Sequence, residues 1–167
     1  MGDSPPKIVG ILTLPDDEQG LRGAIIDPKN GYAWFSSHAG YIVKIALGGP
    51  NDTPVRLGSL KLDQAYRYLE YTFGQDEKGY GYYGVMSAET ILKVVLGNKG
   101  ELPSLAATLP LPPNSGVIPS FRTGVVDPRK RTMCLGVGSI DCALMQFNLG
   151  QGASPPSIIG QTNLFVK

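Results

Sequence analysis

The residues of this chain best suited to chemistry are Ser36, Ser37 and His38, which follow one another directly, and His38 is the only histidine. Histidine can act as a general base or metal ligand, and a serine beside it can act as a nucleophile. Both kinds of site need partners, and no His, Cys or Asp cluster at ligand spacing surrounds His38. The Gly-x-Ser-x-Gly pattern of a nucleophilic serine is also missing here. We therefore interpret His38 as a solvent-exposed loop residue and predict no catalytic, metal or cofactor site.

The only two cysteines, Cys134 and Cys142, lie on either side of a short glycine-containing run, Gly136–Ile140. We place them on adjacent strands, where opposite positions reach disulfide distance only in the right register. The sequence leaves two alternatives open, a disulfide or a buried pair of free thiols. A disulfide would indicate an oxidising compartment. Two thiols without a nearby histidine argue against zinc.

An Asp-Pro pair occurs twice at corresponding places, with Asp27 before Pro28 and Asp127 before Pro128. A carboxylate repeated in this way can bind a cation or sugar hydroxyls. It can also cap a turn, because the aspartate side chain accepts hydrogen bonds from turn amides while proline fixes φ. The capping role explains both residues without a ligand, and we predict it for Asp27 and Asp127.

Tyrosines are concentrated in the middle of the chain. Each tyrosine offers a flat apolar ring and a hydroxyl, which suits the binding of proteins or carbohydrates. We predict that the candidate binding surface is formed by Tyr66, Tyr68, Tyr80 and Tyr82.

The elements that position these residues recur along the chain with a period of roughly 40–50 residues and four short strands in each period. Each copy contains two apolar segments joined by a turn, then an almost continuously apolar segment, then a last strand segment, which is rich in leucine in the first two copies. The first copy comprises Gly23–Phe35, Tyr41–Leu47 and Pro54–Leu62; the second Glu70–Tyr83, Thr90–Leu96 and Leu105–Leu111; the third Thr123–Leu135, Ala143–Leu149 and Ser157–Leu164.

Two details of the repeat bear on its structure. The segment Val9–Leu14 resembles the last strand of the later copies, Leu57–Leu62 and Ala106–Leu111, so we predict a lone fourth strand at the start. The third strand of the first two copies, at Ile42–Ile45 and Ile91–Val94, is apolar apart from one lysine, which is typical of a sheet covered on both faces. That position is Lys44, Lys93 and then Gln146, so the charge itself is not required.

The unit "small-apolar-apolar-Asp-Pro-x-x-Gly-aromatic-small-aromatic … Ile-Val-Lys-Ile … Gly-x-Leu-x-Leu" resembles the blade repeat of β-propellers of the NHL and YVTN type. The resemblance extends from Lys7 to Val166. It implies an all-β, propeller-type array of four-stranded antiparallel blades in a single segment over residues 1–167. The expected parts are a leading outer strand at 7–15, blade 1 at 19–63, blade 2 at 66–113 and blade 3 at 117–166.

Three blades and one strand do not close a ring, because closed propellers have four to eight blades. Open ends would expose two apolar blade faces. The chain is then a fragment of a longer propeller, one of two or more copies in a shared ring, or a unit stacked on other subunits. The predicted partners are therefore other proteins or further copies of the chain, packed on the open blade faces.

Composition excludes several classes of function. The net charge is +1, from 15 basic and 14 acidic residues, which argues against a nucleic-acid partner. No apolar stretch approaches the ~18 residues that a membrane helix needs, so no membrane span is expected. Residues Met1–Pro6 lack the features of a signal peptide. Localisation stays open: extracellular or cell-surface for a piece of a longer secreted protein, cytoplasmic otherwise.

Propellers host binding scaffolds, lectins and enzymes alike, so the fold does not fix the function. We predict a non-enzymatic structural or protein-interaction module that belongs to a larger propeller, filament or assembly. The first alternative is an oligomeric carbohydrate-binding propeller, which would carry near-identical pockets between successive blades. The second is a fragment of a propeller enzyme whose active site lies elsewhere.

Overall fold

A computed structural model describes Pro5 and residues 8–111, 120–138 and 143–163, with side chains left out at 120–122, 137–138 and 163. The described chain forms three four-stranded antiparallel sheets, each with its strands in sequence order. The predicted all-β, propeller-type fold is confirmed. Each sheet falls inside one of the predicted blade ranges, and we call the sheets blades 1, 2 and 3.

Blade 1 comprises β1 (Leu21–Asp27), β2 (Tyr32–Ser37), β3 (Tyr41–Ala46) and β4 (Val55–Lys61). Blade 2 comprises β5 (Leu69–Gln75), β6 (Tyr80–Val85), β7 (Thr90–Val95) and β8 (Ser104–Pro110). Blade 3 comprises β9 (Ser120–Asp127), β10 (Thr132–Gly138), β11 (Ala143–Asn148) and β12 (Ser157–Asn163). The helical content of the described residues is two short 3-10 turns, Asp16–Glu18 and Gln64–Tyr66. None of these described helices is long or apolar enough to span a membrane.

The core lies between the blades, because each blade stacks a face on the next. Between blades 1 and 2, side chains of Ile25, Trp34 and Ile42 pack with those of blade 2, including Leu92 and Leu96. The second interface buries another set from blades 2 and 3: Phe73, Tyr82, Ile91, Met133, Leu135, Met145 and Phe147. Blade 2 is therefore covered on both faces, which explains its almost continuously apolar β7.

A fully buried lysine crosses each of the two interfaces. Lys44 Nζ in β3 donates to the carbonyl oxygens of Gly97 (3.0 Å), Asn98 (2.5 Å) and Glu101 (2.8 Å) in the β7–β8 loop of blade 2. Its ammonium also lies 4.5 Å from the centre of the Tyr32 ring. These carbonyls and the ring replace water around the cation.

The same arrangement occurs one blade further along. Lys93 Nζ donates to the carbonyls of Leu149 (2.9 Å), Gly150 (3.3 Å) and Ser154 (3.1 Å) in the β11–β12 loop of blade 3. It lies 4.5 Å from the centre of the Tyr80 ring. Burial lowers the pKa of both Lys44 and Lys93 from the ordinary value. The sequence-based interpretation that the charge is not required at this position missed the role of Lys44 and Lys93 as links between blades.

The prediction of a leading strand at 7–15 needs correction. Residues 8–15 belong to no strand of the described structure, because no neighbouring strand supplies the ladder of hydrogen bonds. They form an extended segment, which we call the arm, whose Leu12 and Leu14 pack on Tyr41, Val43 and Ile45 of blade 1. The arm therefore covers part of the blade 1 face that points away from blade 2.

The 3-10 turn that follows the arm fastens it to blade 1. The buried carboxylate of Glu18 accepts hydrogen bonds from Arg56 Nε (2.7 Å), Arg56 Nη2 and Ser59 Oγ. Arg56 holds the pKa of Glu18 below its usual value. Tyr41 Oη donates to Asp17 Oδ2 over 2.6 Å. These contacts fix the point at which the arm meets the blade.

The two adjacent tyrosines of β6 offer a direct test of the interior. Both are fully buried, but Tyr83 Oη has no hydrogen-bond partner among the described residues, whereas Tyr82 Oη donates to Asp76 Oδ2 over 3.0 Å. An unsatisfied buried hydroxyl costs roughly 1–3 kcal/mol. We therefore expect Tyr83→Phe to raise the free energy of unfolding by about 1 kcal/mol and Tyr82→Phe to lower it by about the same amount.

Urea unfolding of the two variants beside the wild type, followed by far-ultraviolet circular dichroism, measures both changes. The matched pair removes the same atom from neighbouring positions. A loss of stability in Tyr83→Phe equal to that in Tyr82→Phe would contradict the assignment of Tyr83 as the unsatisfied group.

Candidate functional site

One end of the blades carries an exposed groove of about 380 Å³ at the junction of blades 1 and 2. Three pieces build it: the 3-10 turn after the arm, the β2–β3 turn, and the connection from β4 to β5. We call it the Tyr68 surface and define it by Asp16, Asp17, His38, Lys61, Arg67 and Tyr68.

The backbone of Tyr68 has an unusual conformation, with φ +61°. Few non-glycine residues adopt this left-handed region, so the surrounding structure must hold it. Tyr68 N donates to His38 O (3.0 Å), and Tyr68 O accepts from the amides of Glu70 (2.9 Å) and Met86 (3.2 Å). Backbone bonds to both blades thus fix the residue and aim its side chain outward.

The ring of Tyr68 is held as firmly as its backbone. His38 meets it edge-on, with ring centroids 4.4 Å apart and an interplanar angle of 75°. The guanidinium carbon of Arg67 lies 5.9 Å from the ring centroid. Tyr68 is nevertheless 40% exposed. A pre-positioned, partly exposed aromatic ring beside charged groups is typical of the residues that dominate protein interfaces.

His38 has a partner that the sequence-based interpretation missed. Its Nδ1 lies 2.9 Å from Oε1 of Glu70, which begins the next blade, and Arg22 Nε lies 4.0 Å from the same oxygen. The two serines before it do not join this pair. Both are fully buried, with Ser36 Oγ accepting from Gly23 N and Ser37 Oγ accepting from Tyr41 N. The geometry therefore gives His38 a positioning role beside Tyr68.

The four tyrosines predicted to form one binding surface are separated by the structure. Tyr68 is exposed, and Tyr66 is half-buried against the core between blades 1 and 2. Tyr80 is half-buried beneath the Lys93 ammonium. Tyr82 is fully buried, so its inclusion in a surface was wrong. The cause is that both faces of β6 are covered, and alternation along a strand cannot place either face outside.

Both Asp-Pro aspartates make contacts within their own turns. Asp27 Oδ1 accepts from Asn30 N and Oδ2 from Asn30 Nδ2, and these bonds lower the pKa of Asp27. Asp127 Oδ1 accepts from the amides of Arg129 and Lys130, both at 3.1 Å. Within the described ranges, no group of three His, Cys, Asp or Glu side chains is placed to share a metal ion.

Only one cysteine of the predicted pair, Cys134, lies among the described residues. Cys134 lies in β10 directly opposite Gln146 of β11. Cys142 lies outside the described residues. The disulfide and the free-thiol pair therefore both stay predictions.

A second cavity, of about 400 Å³, lies between blades 1 and 2 at the opposite end from Tyr68. Tyr32 and Trp34 line it together with the polar side chains Asn30, Gln75 and Asn98. A smaller space of about 40 Å³ lies between the β5–β6 and β9–β10 turns of blades 2 and 3. Arg131 lines that smaller space and donates to Gly150 O (2.6 Å). Arg131 stands at the position of Gly79, which lines the larger cavity, so the two junctions differ in chemistry.

No protein-family model matches the chain, and no curated protein sequence matches it. Solved structures share its fold. Saccharomyces cerevisiae Sqt1 superposes with a TM-score of 0.61 at 11% identity, covering 91% of this chain and 37% of Sqt1. The β-propeller domain of Myceliophteria thermophila Cps50 (Swd1) gives 0.62 at 8% identity, covering 86% and 43%. A putative 6-phosphogluconolactonase from Bacteroides fragilis gives 0.66 at 12% identity, covering 89% and 44%. The chain thus spans less than half of each of these propeller-like structures.

Proposed function

We propose that this chain is a non-enzymatic protein-interaction module and part of a larger propeller or assembly. The observation that carries the proposal is the Tyr68 surface, where a strained backbone, fixed by hydrogen bonds to both blades, presents an aromatic ring to solvent. Asp17, Lys61 and Arg67 give the rim charges of both signs. Charged rims around a rigid aromatic anchor select partners by complementary charge. We keep the NHL or YVTN type as part of this proposal, on the repeat unit quoted above.

The two alternatives have less support. The carbohydrate-binding propeller requires similar pockets at successive junctions, whereas Gly79, which lines the cavity between blades 1 and 2, is replaced by Arg131 at the equivalent position of blade 3. The enzyme alternative draws on the fold shared with the putative lactonase, at 12% identity. In this chain the Ser36 and Ser37 hydroxyls beside His38 are buried and hydrogen-bonded.

Panning a phage-displayed peptide library against the folded chain tests the proposal. We expect enriched peptides whose affinity falls at least about tenfold in Tyr68→Asn and in Arg67→Ala, since truncation of an interface anchor costs about 2 kcal/mol or more and tenfold corresponds to about 1.4 kcal/mol. Asparagine is chosen because it tolerates the left-handed backbone of Tyr68. The matched control is Lys29→Ala, an exposed charge at the opposite end of blade 1.

Three outcomes count against the proposal. Peptides that bind Tyr68→Asn as well as the wild type would remove the Tyr68 surface from consideration. Binding on a glycan array that depends on Tyr32 would favour the carbohydrate alternative. Hydrolysis of 6-phosphogluconolactone that is lost in His38→Ala would favour the enzyme alternative.

A further inference from the structure

The loop between the third and fourth strands has the same construction in all three blades. Its first glycine has φ +71° at Gly48, +73° at Gly97 and +69° at Gly150. The amide of the preceding leucine donates back to the β1–β2, β5–β6 or β9–β10 turn of its own blade over 2.9–3.0 Å. An inner hydrogen bond closes each loop: Asp52 N to Gly49 O, Glu101 N to Asn98 O, and Ser154 N to Gln151 O.

In blades 2 and 3 this loop receives the buried lysine of the preceding blade. Blade 1 has the same loop at Gly48–Asp52, on the side where the described residues supply no preceding blade. The side chain of Asp52 also accepts from Gly49 N (2.7 Å), as Glu101 accepts from Asn98 N (3.0 Å) in the loop that holds Lys44. Blade 1 therefore carries a lysine receptor built like the two occupied ones.

The arm occupies the place of a fourth strand beside that receptor. In the sequence match, Leu12 and Leu14 correspond to Leu60 and Leu62, which pack into the interface between blades 1 and 2. Leu12 and Leu14 pack in the same way on blade 1. A Cβ atom added to Gly10 would meet Thr53 Oγ1 at 2.6 Å.

The glycine contact has a counterpart one blade along. A Cβ added to Gly58 in β4 would meet Leu102 Cδ2 at 2.5 Å, and Leu102 follows Glu101 as Thr53 follows Asp52. Gly58 is also the residue that lies opposite Lys44 in the ladder between β3 and β4. In a strand that pairs with the arm, the lysine would therefore lie opposite Gly10, as Lys44 lies opposite Gly58.

A second copy of this chain does not fit this face. In blade 3 the lysine position is Gln146, and the ring positions beneath it are Thr132 and Cys134 instead of two aromatic residues. Glutamine offers two donors and no charge, where lysine offers three donors and a cation. Blade 3 also brings its own fourth strand, β12, into the space that the arm already fills.

We propose that this face of blade 1 docks a three-stranded antiparallel sheet from a propeller segment outside residues 1–167. The third strand of that sheet pairs with the arm. A lysine of this strand lies opposite Gly10, and its ammonium enters the Gly48–Asp52 loop. The arm then becomes the fourth strand of the added blade, an instance of strand addition at a sheet edge. Aromatic residues on the second strand of the incoming sheet would line the lysine, as Tyr32 and Tyr80 do in the two interfaces present.

A graft tests the docking directly. A second copy of residues 66–103, which contains β5–β7 and Lys93, is fused ahead of Lys7 so that the arm replaces β8. We expect the arm amides of residues 9–13 that face the incoming strand to exchange hydrogen at least about tenfold more slowly than in the ungrafted chain, because strand pairing protects them. Burial of the loop under the added blade should also slow exchange at the non-proline residues of 48–52. The matched control carries Lys93→Gln in the grafted copy alone, and there we expect weaker protection of residues 48–52.

Each contrary result has a defined meaning. Arm amides that exchange equally fast with and without the graft overturn the docking, and so does a graft that stays unfolded, since its template folds as part of blade 2. Equal protection of residues 48–52 by the lysine and glutamine grafts overturns the lysine receptor. In the ungrafted chain, a doubled mass with arm protection that rises with concentration would assign the face to a second copy.

This inference rests on the part of the proposed function that places the chain in a larger propeller. Peptide binding at the Tyr68 surface is measured on the ungrafted chain, so failure of the graft and failure of the peptide test are distinguishable.

Discussion

Replacement of Lys93 by alanine will lower the free energy of unfolding by about 3–5 kcal/mol, a large fraction of the stability of a typical domain. The substitution removes a fully buried side chain and leaves a cavity between blades 2 and 3. It also leaves the carbonyls of Leu149, Gly150 and Ser154 without their shared donor. Neighbouring blades of a repeat array are stabilised by the interfaces that they share, so the loss falls directly on the contact between blades 2 and 3.

Two further variants separate the cavity from the hydrogen bonds. Lys93→Met keeps most of the buried stem and removes the donors, and we expect a loss of about 2–3 kcal/mol. Lys78→Ala removes an exposed lysine of the same blade and should change stability by less than about 0.5 kcal/mol. Urea unfolding followed by circular dichroism gives all three values. A Lys93→Ala protein that unfolds at the wild-type urea concentration would refute the role of Lys93 as a link between blades.

The position of this lysine could be predicted from the sequence, but its role could not. Alignment of the repeats places Lys44, Lys93 and Gln146 at one position in the third strand. The acceptors of the two lysines are backbone carbonyls 53–61 residues further along the chain. Every residue has a backbone carbonyl, so no pattern of side-chain types marks these acceptors.

The architecture was predictable because it depends on features that recur in the sequence. Turn residues and apolar segments return with each blade, and three four-stranded sheets follow from them. For the arm, the repeat pattern alone gives the wrong secondary structure. Its pattern is that of a fourth strand, and its leucines pack as such, but a strand is defined by hydrogen bonds to a neighbour.

The candidate site was harder to predict, because it is assembled from neighbouring blades. His38 and Glu70 are 32 residues apart, and they meet because the β2–β3 turn of one blade lies beside the first strand of the next. The left-handed conformation of Tyr68 has no sequence signal such as glycine or asparagine. The prediction that Tyr68 belongs to a binding surface relied on tyrosine chemistry alone, and the same argument wrongly included the buried Tyr82.

Replacement of Trp34 by alanine is the second substitution with a large expected effect, a loss of about 3–5 kcal/mol in the free energy of unfolding. Trp34 is buried between blades 1 and 2, where its ring packs in the same cluster as Ile25 and Tyr83. Its Nε1 donates to the carbonyl of Leu96, 62 residues away, over 2.7 Å. Trp34→Phe keeps an aromatic ring but loses this hydrogen bond, so we expect its free energy of unfolding to fall by about 1–3 kcal/mol. Circular dichroism is the appropriate probe, because Trp34 is the only tryptophan and fluorescence is lost with it.

Leu144→Ala is the control for Trp34→Ala, and it also tests whether the outward face of blade 3 is exposed in solution. Leu144 lies on the face of blade 3 that points away from blade 2, and it is 40% exposed. Removal of a leucine side chain that stays 40% exposed creates no enclosed cavity, so it should cost less than about 1 kcal/mol. A Leu144→Ala loss as large as that of Trp34→Ala would mean that another molecule covers this face in solution. Since Gln146 shares the same outward face of β11, the covering molecule would then pack on blade 3 without a lysine at this position.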